Sequence, residues 1–129
     1  GQGAAAKIVN NMMLASYWQS LKEAMQLGIK AGLGAESTLN ILKNSPAANG
    51  SLALKSDAIL GKRDDVTFSV SGIVKDLRMF NETANQLNIS APSIKAALDS
   101  FHAHQEAGFG ECDFISMVNQ ALKETEELE

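Results

Sequence analysis

The stretch from Ala4 to Ala31, AAAKIVNNMMLASYWQSLKEAMQLGIKA, contains no proline and no glycine before Gly28. Its apolar positions Ile8, Met12, Ala15, Trp18, Ala24 and Leu27 keep a period close to 3.6, and Val9, Met13, Leu14, Tyr17, Leu21 and Met25 widen the stripe almost all round. The pattern predicts one helix over about Ala4 to Ala31, which is long for a domain of this size. A helix so apolar does not stand alone in water. It is expected to be central to the domain or shared with a partner chain, so a homodimer or higher homo-oligomer is anticipated.

The helix opens on Gly1-Gln2-Gly3-Ala4-Ala5-Ala6-Lys7-Ile8-Val9-Asn10-Asn11. Lys7 sits in the first turns, where the macrodipole disfavours a cation. Asn11 follows four residues later, so the two side chains share a face about one turn apart. Free backbone N–H groups at such a helix start can receive an anion such as a carboxylate. A lysine there, partly shielded from water, suits general acid/base work, and a neighbouring carboxamide can orient a substrate oxygen. The same pair also occurs on solvated helix faces. The residues alone therefore leave a small-acid site and a decorated surface both open.

At 129 residues the chain is read as one domain, large enough to bury a core and with 45% hydrophobic residues to build it. Eleven basic against fifteen acidic residues give a net charge of -4, which speaks against general nucleic-acid binding. No apolar run approaches the ~18 residues of a membrane span. The single cysteine, Cys112, rules out an internal disulfide and fits a reducing compartment. It reads as a small apolar filler. The expected location is cytoplasmic, with the mitochondrial matrix open if a targeting peptide preceded Gly1. Gly1 already stands inside a motif, so the chain is expected to be cut from something longer.

Five more helices are expected. Gly32 and Gly34 cap the first in the left-handed manner, and a second runs from about Ala35 to Lys43 with Leu39, Ile41 and Leu42 inward. A turn at Ser45-Pro46-Ala47-Ala48-Asn49-Gly50 precedes a third over about Ser51 to Leu60, and Gly61 to Asp65 forms a charged loop. Val66 to Val70 has strand composition but no expected partner, so it is not assigned as a strand. A fourth helix from about Ser71 to Leu87 turns Ile73, Leu77, Phe80, Ala84 and Leu87 inward. Pro92 opens a fifth, reaching about Ala107. His102 and His104 lie two apart on it, which turns them to different faces and argues against a shared metal. Asp113 is the expected N-cap of a last helix through Leu122, and the acidic tail from Lys123 is expected to fray, with Leu128-Glu129 read as a cloning remnant.

Three features stand in register: Gly-x-Gly-x-x-x-Lys-x-x-Asn-Asn at residues 1–11, Lys75-Asp76-Leu77, and Gly108-Phe109-Gly110-Glu111-Cys112-Asp113. Their order and spacing resemble the C-terminal all-helical domain of the β-hydroxyacid dehydrogenases, the 3-hydroxyisobutyrate dehydrogenase and tartronate semialdehyde reductase type, similar to 6-phosphogluconate dehydrogenase. The resemblance covers essentially the whole chain. It implies an all-α domain of about six helices around one long N-terminal helix, preceded by a Rossmann domain that binds NAD or NADP. It further implies Lys7 as the catalytic general acid/base, Asn11 on the substrate oxygen, Gln2 and Gly3 where substrate meets the helix entrance, and Lys75 reaching the cofactor. Asp76 is expected to cap or pair locally. The implied substrate is a small 3-hydroxy acid oxidised reversibly to its semialdehyde or oxo acid.

The resemblance also shows two small departures: the second asparagine of Asn10-Asn11 is common but not universal in the family, and Phe80 stands where a small residue often follows Lys-Asp-Leu-x-x. Hydride transfer needs a donor that no side chain supplies. The chain has no strand followed by Gly-x-Gly-x-x-Gly, so residues 1–129 are read as a single helical domain without the Rossmann part and inactive by themselves. A non-catalytic helical dimerisation or interaction module is the alternative, and no His/Cys/Asp cluster has metal-ligand spacing.

Overall fold

The computed structural model describes residues 1–127, so the reading of Leu128-Glu129 lies outside the described residues. Its elements are α1 (Gln2–Lys30), α2 (Ala35–Lys43), α3 (Gly50–Ile59), α4 (Val70–Gln86), α5 (Pro92–His104), a π-helical turn (Gln105–Phe109) and α6 (Ser116–Glu127). The domain is all-helical, and α1 packs against α2, α4, α5 and α6. The central-helix expectation is met.

The seam on α1 is narrower than its composition suggested. Its buried residues are Ala15, Trp18, Leu21, Met25, Gly28 and Ile29, spaced three or four apart as one helical stripe. Leu27 falls off that stripe and is 72% exposed, as Met13 is, and Val9 is 63% exposed. No residue before Ala15 is fully buried, and Ile8 and Met12 pack part-buried against the core, so the first half of α1 lies at its edge. Against the stripe lie Leu39 of α2, Leu52 and Ile59 of α3, Val74, Leu77 and Phe80 of α4, Ala97 and Phe101 of α5, and Val118 and Leu122 of α6. Each large apolar side chain buried here is worth about 1.5–3 kcal/mol against exposure.

Other departures have local causes. Ile41 is exposed because the buried face of the short α2 runs through Thr38 and Leu39. Leu87 is exposed because α4 ends before it, at Gln86. The acidic tail does not fray: α6 continues to Glu127, and Thr125 is buried, taking a 3.1 Å hydrogen bond from Gln26 Nε2 of α1. Cys112 is exposed instead of filling the core. Val66 to Val70 is not a strand, yet it finds a pairing partner: Ser69 bridges antiparallel to Asp113, Val70 N donates to Cys112 O at 2.9 Å and Phe114 N to Phe68 O at 2.8 Å. The partner is a turn forty residues on, which composition does not reveal.

Helix ends follow their capping residues. Beyond α1, Gly32 has φ 94°, its N–H bonds Ile29 O and the Leu33 N–H bonds Gly28 O, which is a Schellman motif. Asn88 with φ 59° closes α4 in the same way, through Asn85 O and Ala84 O. Asn49 and Ser69 cap α3 and α4 through Leu52 N at 2.8 Å and Gly72 N at 3.0 Å. Pro92 stands in the first turn of α5.

The α1–α2 crossing depends on Gly28, because a Cβ there would overlap the side chain of Thr38, itself tied to Gly34 O at 2.7 Å. Gly28→Ala must push the two helices apart, and overpacking of this kind costs about 1–3 kcal/mol. The urea midpoint of the variant is expected to fall with an unchanged slope; a midpoint equal to that of the parent chain would show that Thr38 yields freely.

Candidate functional site

Lys7 and Asn11 project from one face of α1, and one turn further on the same face carries Leu14, Ala15 and Trp18. Ala15 and Trp18 are buried, so the face that holds α1 to the core continues, toward its N-terminus, as one wall of an open cavity. Helix α4 supplies a second wall through Ile73, Asp76 and Phe80, spaced three and four apart on one side. Phe68 and Phe114 close a third. The cavity encloses about 280 Å³.

The two phenylalanines are seated by contacts outside the cavity. The Phe68 ring lies over Gly72, where a Cβ would come within 2.8 Å of Cζ. The Phe114 ring packs tilted against Trp18 with centroids 5.7 Å apart. Lys55 Nζ stands 4.7 Å over the centroid of the Phe114 ring.

Between them Asp113 is 4% exposed. Its Oδ1 accepts from Thr67 N at 2.8 Å, Thr67 Oγ1 at 2.7 Å and Phe68 N at 3.2 Å, and its Oδ2 from Ile115 N at 3.1 Å and Lys55 Nζ at 3.2 Å. Burial pushes this carboxyl upward, but the Thr67 side chain and the Thr67, Ile115 and Phe68 amides outweigh it and hold it below the ordinary carboxylate range. Asp113 is thus not the N-cap of α6, which begins at Ser116. It joins two chain segments instead.

Of the residues singled out in the sequence, Lys7 and Asn11 meet in the cavity. Lys7 is exposed and Asn11 half-buried, so the shielding expected of the lysine is not provided by this chain. Asn10 Nδ2 donates to Asn11 Oδ1 at 3.3 Å, which turns the Asn11 NH₂ outward as a donor. Gln2 and Gly3 lie exposed at the start of α1 and do not line the cavity. Lys75 is exposed on α4 and also lies outside it, whereas its neighbour Asp76, expected only to cap or pair, faces in. Phe80, the departure after Lys75-Asp76-Leu77, is part of the wall. Sequence reading missed Phe68, Phe114 and Trp18 as cavity residues. The first two stand in the segment set aside as an unpaired strand and in the turn after the last glycines.

A positive ammonium, a carboxamide donor and a carboxylate around an otherwise apolar cavity can bind a small polar molecule and move a proton at one of its oxygens. Among the described residues there is no strand, and hence no strand-to-helix glycine turn of the kind that holds a pyrophosphate. No group of three His, Cys, Asp or Glu among the described residues could hold a metal ion, and no helix among them is long and apolar enough to cross a membrane.

Residues 1–121 match the family described as NAD-binding of NADP-dependent 3-hydroxyisobutyrate dehydrogenase. The chain belongs to this family. It is 31% identical over 137 residues to the mitochondrial 3-hydroxyisobutyrate dehydrogenase of Drosophila melanogaster, covering 96% of this chain and 40% of that protein. To the 2-(hydroxymethyl)glutarate dehydrogenase of Eubacterium barkeri it is 29% identical over 119 residues, covering 92% of this chain and 40% of the relative. The fold is that of a 3-hydroxyisobutyrate dehydrogenase from Salmonella typhimurium, at a TM-score of 0.82 and 23% identity, over 92% of this chain and 41% of that one. This 3-hydroxyisobutyrate dehydrogenase-family chain thus spans about two-fifths of the length of the relatives it matches.

A second cavity of about 420 Å³, between α1, α5 and α6, is floored by His104. The imidazole stacks flat on Phe109 at 4.3 Å and meets Ser116 Oγ at 2.8 Å, while His102, two residues away, is half-buried and faces Glu106 at 3.3 Å. Burial lowers the His104 pKa below that of an ordinary histidine, and Glu124 opposes this only in part. The folded state therefore prefers the neutral ring. Its contribution to stability is complete above about pH 6.5 and is lost as the pH falls through the lower folded value. Between pH 7.5 and 5 the chain is expected to lose more unfolding free energy than His104→Gln does, as read from urea titrations at each pH; parallel losses would assign the effect to other groups.

Proposed function

We propose that this chain is the C-terminal helical domain, of the 6-phosphogluconate dehydrogenase type, of an NAD(P)-dependent β-hydroxyacid dehydrogenase whose Rossmann domain lies outside residues 1–129. The observation that carries the reading is the convergence of Lys7 and Asn11 on one apolar cavity with Asp76, Phe68 and Phe114. Family membership over residues 1–121 and the names of the relatives support the reaction class.

When bound, the nicotinamide supplies or accepts the hydride. The residues of this chain handle the oxygen. As the substrate carbonyl is reduced, Lys7 Nζ gives a proton to its oxygen; as a hydroxyl is oxidised, the free amine of Lys7 takes that proton back. Asn11, its own oxygen held by Asn10, donates to the same substrate oxygen and aims it at Nζ. Gln2 and Gly3, exposed at the start of α1, border the route by which a small 3-hydroxy acid enters. Lys75, exposed one residue from the cavity-facing Asp76, extends toward the phosphates or ribose of NAD or NADP. The Rossmann domain covers Lys7 and excludes water from it.

The exposed row of Val9 and Met13, on the side of α1 away from Lys7, supports a homodimer or higher homo-oligomer. It also supports the alternative, a non-catalytic helical interaction module. The location that fits is the cytoplasm, or the matrix in a mitochondrial parent, since the relatives include proteins named mitochondrial.

Lys7→Ala in the full-length protein separates the two. A general acid/base contributes typically ~10²–10⁴-fold, so kcat with a hydroxyacid substrate is expected to drop by that factor. Because Lys7 is exposed, Tm should hardly move. An unchanged rate removes Lys7 from the mechanism and leaves the interaction module. Residues 1–129 alone are expected to give no NAD(P)H signal with the same substrate, and measurable turnover by them would show that the hydride carrier is bound here.

A further inference from the structure

Phe68 and Phe114 present a puzzle of position. They form one wall of the cavity, yet neither stands on the helical face that carries Lys7 or on α4. Both come from irregular segments, which ordinarily move more than the elements they connect. Phe68 is 44% exposed, so core packing alone does not hold its ring. What holds the wall lies behind it.

Phe68 follows Thr67, whose amide and hydroxyl both donate to Asp113 Oδ1, and Phe114 follows Asp113 directly. Phe114 N donates to Phe68 O at 2.8 Å, which sets the two backbones in one register. Lys55, reaching from α3, donates to Thr67 Oγ1 at 2.7 Å and Asp113 Oδ2 at 3.2 Å while its Nζ stands over the Phe114 ring. One carboxylate, one hydroxyl and one ammonium from three separate stretches of chain therefore meet directly behind the two aromatic walls. None of the three lines the cavity.

We propose that Thr67, Asp113 and Lys55 form a latch whose role is to position Phe68 and Phe114 against the bound hydroxyacid, making them positioning residues for substrate binding. The proposal rests on the reading of the Lys7 cavity as the substrate site. The latch acts through the backbone of Thr67 and Phe68 and through the Phe114 ring, and it touches neither the reacting oxygen nor Lys7. Loosening it therefore weakens the fit of substrate to the wall while the proton transfer at Lys7 remains. The signature is a change in KM without a matching change in kcat.

The test uses the full-length protein with 3-hydroxyisobutyrate, L-serine, L-threonate and 2-(hydroxymethyl)glutarate as probes, keeping whichever is oxidised fastest. Thr67→Val keeps the backbone N–H to Asp113 and removes the hydroxyl that donates to Asp113 and accepts from Lys55. Loss of hydrogen bonding to charged groups of this kind predicts a KM raised about tenfold, with kcat within about twofold. Thr67→Ser restores the hydroxyl and should restore KM. Lys55→Met, at a partly exposed position, should raise KM in the same direction and decides the matter if Thr67→Val does not fold.

An unchanged KM in a folded Thr67→Val or Lys55→Met protein overturns the latch. So does a loss of kcat in step with a lowered Tm, which marks a structural tie only. Lys7→Ala in the same assay keeps the two levels apart. If it abolishes turnover while Thr67→Val leaves KM alone, the latch fails and the site stands; if it leaves turnover intact, or if the protein oxidises none of the four probes, the site assignment fails and the latch with it.

Discussion

A carboxylate taken out of water is tolerable only when its lone pairs are met, and the buried Asp113 meets this condition with two backbone amides and a hydroxyl from Thr67 and Phe68, a third amide from its own turn, and the ammonium of Lys55. Removing a partner withdraws part of that compensation from a carboxylate that is itself only 4% exposed. It joins α3 to the stretch before α4 and the turn before α6, beside the backbone bonds from Val70 N to Cys112 O and from Phe114 N to Phe68 O that already pair the last two. The helical core would pack much the same around a different connection. The cavity would not, because one of its walls is made by Phe68 and Phe114, which directly follow Thr67 and Asp113 of this tie.

Helix α1 works at two levels along its length. From Ala15 onward it is a core element, with a stripe that ends at the Gly28–Thr38 crossing, where α2 comes closer than any side chain larger than hydrogen would permit. Before Ala15 it lies at the edge of the core, and its polar pair Lys7 and Asn11 rides on a rod whose other end is clamped. A helix is stiff over three turns, so the position of Nζ relative to α4 is determined by packing at Ala15 and Trp18. Placement on a rigid element is what a proton-transfer group needs, since an ångström of misplacement is costly in rate.

The sequence shows helix number and order plainly because hydrophobic period and punctuating residues agree: Gly32 and Pro92 stand at ends that the structure confirms, whereas the caps Asn49, Ser69 and Asn88 emerge only from the structure. The pairing of Lys7 with Asn11 was equally legible, since a spacing of four on a helix leaves no choice of face. What could not be read was anything formed across the chain. Val66 to Val70 looked like a strand without a partner because its partner is a single residue in a glycine turn. Asp113 looked like an ordinary N-cap because Asp before a helix usually is one, and only tertiary contact shows its oxygens turned to Thr67. The breadth of the α1 stripe misled for a related reason. Composition counts apolar residues but does not say how far along the helix full burial extends, and here it begins only at Ala15, with Ile8 and Met12 part-buried before it.

The exposure of Lys7 bears on how the proposed chemistry is divided between parts. An ammonium open to solvent is stabilised by water in its charged form and exchanges its proton with bulk water instead of with one chosen oxygen. Directed proton transfer requires a covered site, in which the fixed dipoles of the protein replace solvent. The apolar walls, the oriented amide of Asn11 and the latch behind Phe68 supply the fixed half of such a site. The covering half must arrive with the hydride carrier, because proton and hydride reach adjacent atoms of the same bond. A family described as NAD-binding whose described residues here hold no strand is then no contradiction to the proposed reading, in which this domain would supply the acid, the orienting amide and the aromatic wall, and the surface bringing the nicotinamide would complete the enclosure.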